Sequence, residues 1–179
     1  MNKFTKGDTK IACADLRVEA MDVTEEFDGT FAPGRRLVYS CINDQVLIHI
    51  YEYTVMGDHE ILTMGGLCLT PGGLRVLRNK IGEIDELLWR QHISKVLEMR
   101  KIELGHVAYR AHLGAGVYVS VDNNFNGVDL RRHLVPDGQL TLVPTKEGIS
   151  MPTPQWNSFK QKLNDLLSVH PELLDANEC

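Results

Sequence analysis

The chain has 179 residues, 43% of them apolar and 24% charged, proportions that suit a soluble globular protein of one large domain or two small ones. Its 19 basic residues are outnumbered by 24 acidic ones, which argues against a protein that coats nucleic acid by charge alone, because phosphate contacts need Lys and Arg. No run of eighteen apolar residues occurs, Met1–Lys10 lacks the apolar stretch of a secretory signal, and Cys13, Cys41, Cys68 and Cys179 form no CxxC pair; no membrane span is expected, and a nuclear or cytoplasmic protein with reduced thiols is expected rather than a secreted one.

Residues 1–35 carry no pattern that assigns them a role. Beyond them, Val46-Leu47-Ile48-His49-Ile50-Tyr51-Glu52-Tyr53 alternates as a strand does, between breakers at Asn43-Asp44 and Gly57-Asp58. Gly66-Leu67-Cys68-Leu69 then leads through Thr70-Pro71 into a helix with Leu74, Leu77, Ile81 and Ile84 on one face. The pattern continues through Leu88, Ile93 and Val96 to about Arg100. Further on, Tyr109–Leu113, Val117–Val121 and Val128–His133 read as strands, with turns at Asn126-Gly127 and Pro136-Asp137-Gly138. Leu140 and Leu142 are expected to lead one more short strand. Gly148-Ile149-Ser150-Met151 leads through Thr153-Pro154 into a second helix, whose face carries Trp156, Phe159, Leu163 and Leu166. In each Thr-Pro pair the Thr is placed to cap the first amides, with Pro at the first helical position.

The two helix faces and the glycines before them repeat at an offset of 82 residues, from Leu74 and Trp156 to Ile84 and Leu166. A matched offset over so many positions signals internal duplication. The expected fold is therefore α+β, with two tandem antiparallel β-meander plus helix units forming an intramolecular pseudo-dimer. Residues 36–104 form the first unit with its long connector helix, 105–170 the second, and 171–179 a tail. One sheet cannot cover both its own apolar face and its helix, whereas two packed together can, so the folded unit is expected to be a monomer.

The strings Tyr118-Val119-Ser120-Val121, Val128-Asp129-Leu130-Arg131, Pro144-Thr145-Lys146-Glu147-Gly148-Ile149-Ser150-Met151 and Gln155-Trp156 resemble the C-terminal domain of the transcriptional coactivator positive cofactor four, of the Sub-one type. The resemblance runs over residues 113–166 and, more weakly, over 36–88. It implies a four-stranded antiparallel sheet plus a helix, used as a homodimer whose paired sheets form grooves for single-stranded or melted DNA. Two copies in one chain would then make the pseudo-dimer. Arg131 falls where the family has a strand Arg facing DNA, Lys146 falls in its basic loop, and Phe125 matches a base-stacking aromatic. His133-Leu134 replaces a Tyr-Trp pair. In the first copy the Arg position is Tyr51 and the basic loop reads Thr63-Met64-Gly65, so the charged ridge is expected to be lost there. Tyr51 and Tyr53 stand as either base-stacking groups or β-formers at a partner interface.

Arg131, Arg132 and Lys146, with Arg110 on the strand before, are the candidates for phosphate contact. Trp156, on an apolar helix face, reads as core. Asp122-Asn123-Asn124-Phe125-Asn126-Gly127 mimics the start of a calcium loop, but His133 stands where the closing Glu belongs and strands flank it, so a hairpin turn is the better reading. Seven histidines show neither HExxH nor zinc-finger spacing, and no nucleophile has a local signature. Neither metal nor cofactor is expected, and the chain reads as a binding protein, not an enzyme. Single-stranded DNA or RNA is the expected ligand, with transcription or replication proteins as further partners. The alternative is a degenerate pair whose sheet faces serve protein–protein contact or scaffolding without nucleic acid.

Overall fold

A computed structural model of the protein describes residues 24–42, 45–98, 108–122 and 124–175. Most of the N-terminal segment, the Asn43-Asp44 turn, the end of the first helix at Arg100, Asn123 and the end of the tail lie outside these residues. Two separate four-stranded antiparallel sheets follow one another, each closed by a helix. The first comprises β1 (Thr24–Ala32), β2 (Arg35–Ile42), β3 (Gln45–Met56) and β4 (His59–Leu69), followed by α1 (Pro71–Glu98). The second comprises β5 (Ala108–Gly114), β6 (Val117–Asp122), β7 (Phe125–Leu134) and β8 (Val143–Pro152), followed by α2 (Thr153–Val169) and a short 3₁₀ turn at Pro171–Leu174. The fold class is α+β, as the alternation of patterns predicts.

The strands form because apolar residues recur at every second position and one face can be buried. Leu37, Ile48, Ile50, Leu67 and Leu69 fill the inner face of the first sheet. Val117, Val119, Val121, Val128, Leu130, Ile149 and Met151 fill that of the second. Leu74, Leu77 and Ile84 of α1 and Trp156, Phe159, Leu163 and Leu166 of α2 join them in one continuous core. Packing is reciprocal: α2 lies on β1 and β2 as well as on its own sheet, and α1 lies on β5, β6 and β7 as well as on β3 and β4. Phe159 of α2 meets Phe31 of β1 edge-to-face at 5.4 Å. Trp156 donates its indole N–H to Asp85 of α1 at 2.8 Å, and Lys160 pairs with the same carboxylate at 2.5 Å.

The sheets correspond pair for pair. Leu37 opposes Ile50 as Val119 opposes Leu130, and Tyr51 opposes Gly66 as Arg131 opposes Gly148. Both β3 and β7 break register at the next residue, Glu52 and Arg132. At each break a Thr hydroxyl (Thr63 or Thr145) donates to the bulged carbonyl at 3.0 Å and accepts the amide two residues on at 3.1 Å. Tyr53 N donates to Gly34 O, and His133 N to Gly116 O, each at 2.8 Å. A Cβ at Gly66 would lie 2.9 Å from Ile50 O, and one at Gly148 would lie 2.7 Å from Leu130 O. The bulge draws the two backbones together there, and only Gly fits the approach.

Four expectations are corrected. Residues 24–35 are no part of a separate N-terminal segment: β1 pairs along β2, so the first sheet begins by Thr24 instead of at 36. Their alternation was masked by a bulge between Glu25 and Phe27. Leu140 and Leu142 are exposed loop residues, and the strand begins at Val143. That strand runs through the stretch read as a basic loop, so Lys146 is a strand residue at a bulge. Finally, Thr70 does cap α1, accepting Gly73 N at 3.1 Å, but the N-cap of α2 is Pro152 and makes no side-chain cap. Thr153 is already helical and reaches toward Asn126 O at 3.4 Å instead.

Candidate nucleic-acid interface

The outer face of the second sheet is set by the residues between the buried ones. Arg110 and His112 come from β5, Tyr118 and Ser120 from β6, Asp129 and Arg131 from β7, and Gly148 and Ser150 from β8. Four strands at about 4.8 Å spacing make this strip roughly 14 Å wide. Arg131 is at its centre and is tightly held. Its Nε and Nη2 donate to the two oxygens of Asp129 at 3.1 and 3.0 Å, and Nη1 donates to Thr145 O at 3.0 Å. Ser150 Oγ donates to Asp129 at 2.6 Å and completes the cluster. A two-fold carboxylate clamp of this kind fixes the guanidinium and cancels most of its field. Arg132 is held likewise, by Glu147 at 2.7 Å and Ala115 O at 2.5 Å.

Lys146 and Arg110 differ. Both are exposed, and among the described residues neither makes an ion pair. They sit at opposite edges of the strip, one on β8 and one on β5. Between them is an aromatic group that sequence reasoning missed. Tyr118 packs 4.8 Å from His112 and 5.1 Å from His133, the latter edge-on. In the sequence Tyr118 is one residue of the alternating stretch Val117–Val121. The signal available was the cross-strand position: it lies directly opposite Arg131. Phe125 lies at the turn end of β7, half-buried, with its ring over Gly127; it is separate from the Tyr118 cluster. Gln91 of α1 pins this hairpin from the other side by donating to Asp122 O at 2.6 Å. In the stretch that mimics a calcium loop, Asp122 accepts Asn124 N at 2.7 Å, as a turn does.

The first sheet's face is built on the same frame with the charges moved. Tyr51 occupies the counterpart of Arg131, and Arg36 occupies that of Tyr118, so the Arg–Tyr pair has exchanged strands. The expected loss of a charged ridge is thus only partly right: a guanidinium is present, one strand over. It is not free for phosphate. Arg36 pairs with Asp28 at 3.1 Å and Glu60 at 2.9 Å and lies 4.8 Å from the centre of the Tyr53 ring. Burial works against its charge, but Asp28, Tyr53 and Glu60 outweigh that and raise its pKa above the usual value. Tyr51 stacks on His49 at 5.0 Å, nearly parallel. Each tyrosine therefore has one ring face already covered. Trp156 is fully buried, as its helix face predicts.

Among the described residues, no group of three or more His, Cys, Asp or Glu could hold a metal ion. No helix there is long and apolar enough to cross a membrane. Residues 116–162, about a quarter of the chain, match the family model described as Transcriptional Coactivator p15 (PC4). The match covers β6, β7, β8 and the first half of α2, which is most of the strip carrying Tyr118, Arg131 and Lys146. No curated protein and no solved structure matches the chain.

Proposed function

We propose that the chain is a single-stranded nucleic-acid-binding protein of transcription or replication, a binding protein and not an enzyme, and that it binds through the outer face of its second sheet. The observation that carries this reading is the strip itself. Two exposed cations that make no ion pair among the described residues, Arg110 and Lys146, flank the Tyr118–His112–His133 cluster; Tyr118, His133 and Lys146 lie in the part of the chain that matches the coactivator family. Phosphates would meet the cations and an unpaired base would stack on the cluster, a combination that needs no duplex groove. Arg131 acts mainly by holding the strip in shape through Asp129, with one Nη1 hydrogen left for a ligand. Arg132, Phe125, Tyr51 and Tyr53 contribute less, since each is already paired, half-buried or partly covered.

In this reading the two sheet–helix units are degenerate copies of one domain that form a pseudo-dimer within a single chain. The pair-for-pair register and the reciprocal helix packing support it. Binding of labelled single-stranded and duplex oligonucleotides at two salt concentrations tests the proposal. Single strands should bind more tightly, with log K falling against log salt at a slope of about −1.4 to −2, from two or three contacts. Equal affinity for duplex would refute the single-strand preference, and no binding to either would leave the sheet faces as protein-contact surfaces only.

A further inference from the structure

The hairpin formed by the outer halves of β3 and β4 reaches beyond the rest of its sheet. β2 begins at Arg35, opposite Glu52, and Tyr53 N still bonds Gly34 O of the turn before it, so from Thr54 to Met56 only β4 pairs with β3. The result is a two-stranded ribbon that is apolar on both sides. Val55 and Leu62 continue the Tyr53 side and are 65% and 61% exposed; Met56 and Ile61 occupy the other and are 65% and 46% exposed. The corresponding stretch of the second unit is no ribbon: β7 ends at Leu134, and a loop runs to Val143. The exposed aliphatic groups are therefore a feature of the first unit and do not follow from the shared frame. Contiguous exposed apolar surface on a ribbon with an open edge is costly to keep and marks a contact site.

The charges around the ribbon say what kind of contact. Asp28, Glu52, Asp58 and Glu60 lie on or beside it, against Arg35 and Arg36. Both guanidiniums are committed: Arg36 as described, and Arg35 to Glu52, Ser150 O and Gln155. Asp58 makes no ion pair among the described residues. Such a surface repels phosphate and also repels a second copy of itself. It suits an extended polypeptide that adds to the open edge of β3, sets apolar side chains on Tyr53, Val55 and Leu62, and brings Lys or Arg to the carboxylates. We infer that this ribbon is a docking site for an extended, basic and apolar segment of a partner protein, separate from the nucleic-acid strip on the other sheet.

The test uses the full chain and a fluorescent peptide of alternating Val and Lys, read by anisotropy, with an alternating Val and Glu peptide as control. Val–Lys should bind and Val–Glu should bind at least tenfold more weakly. Val55→Ser with Leu62→Ser, both exposed and so tolerated by the fold, should weaken Val–Lys binding about tenfold. Asp58→Lys should weaken it about threefold and reduce its salt dependence. Affinity for single-stranded oligonucleotide should stay unchanged in both variants, which separates this site from the strip. Failure of Val–Lys to bind, equal affinity for the two peptides, or indifference to the variants overturns the inference. So does a concentration-dependent dimer, seen by sedimentation, that the Val55/Leu62 variant abolishes, since the ribbon would then be an interface between copies.

Discussion

The two sheets share a backbone and differ in what they display. Bulge, threonine clasp and glycine approach recur in both, down to matching hydrogen-bond lengths. On that frame the second sheet keeps two cations that make no ion pair among the described residues, while the first locks both of its own into carboxylates and extends an apolar ribbon. Backbone geometry is held by close approaches that tolerate few substitutions, whereas an outward side chain can change at almost no cost to stability. Two faces on one kind of frame are thus free to differ in what they display while the frame stays fixed.

The largest expected effect concerns the shared core, where the units should behave as one. Trp156→Ala should cost about 3–5 kcal/mol and Leu74→Ala, its counterpart on α1, about 2–5 kcal/mol. Urea unfolding followed by far-UV circular dichroism should show a single transition in each case. Two transitions, or a stable monomer formed by residues 106–179 alone, would break the picture of reciprocal packing.

Next comes the difference in charge. Arg110→Glu with Lys146→Glu should weaken single-strand binding by at least tenfold and flatten its salt dependence. The opposite change is sharper: Asp129→Asn keeps a hydrogen-bonding group but releases the charge of Arg131. Affinity should rise about threefold and the salt slope steepen by about 0.7. A loss of affinity on that substitution would mean that the clamp, not the charge, is what the ligand needs.

Stacking separates the faces again. Tyr118→Ala should cost about 1–2 kcal/mol of single-strand affinity with no change in salt slope. Tyr51→Ala with Tyr53→Ala should cost less than about threefold, because His49 and Arg36 already cover one face of each ring. The reverse ranking would make the first sheet the stacking platform.

The smallest effect is a pH dependence that one unit has and the other lacks. Tyr109 of β5 donates to Glu83 of α1 at 2.9 Å, and burial together with that bond pushes its pKa up to about 12. Its counterpart on β1 is Phe27, which has no hydroxyl. A raised phenol pKa adds stability that is present in full below the ordinary value near 10 and is lost as pH rises through 12. Tyr109→Phe should therefore cost about 1 kcal/mol at pH 8 and remove part of the alkaline loss between pH 10 and 12. Chemical unfolding at pH 8, 10 and 11.5 would measure it.

Much of the fold could be read from the sequence because burial leaves periodic marks. The alternation at Val117–Val121, the helix face of Trp156, Phe159, Leu163 and Leu166 and the offset of 82 all correspond to what is buried. β1 escaped because register shifts between Glu25 and Phe27 and between Thr30 and Ala32 interrupt the alternation, and the middle of β8 escaped because the resemblance placed a loop at Lys146, where the strand bulges. What the sequence could not contain is pairing between distant positions. It presents Arg131 as an exposed cation; only the tertiary structure brings Asp129, Thr145 O and Ser150 around it. It presents Tyr51 as the loss of an arginine; only the register shows that Arg36 stands opposite, clasped by Asp28 and Glu60. Periodicity is a property of neighbouring residues and survives in one dimension. Whether a charge is available depends on which carboxylate folding brings within 3 Å, and that was decided in three dimensions.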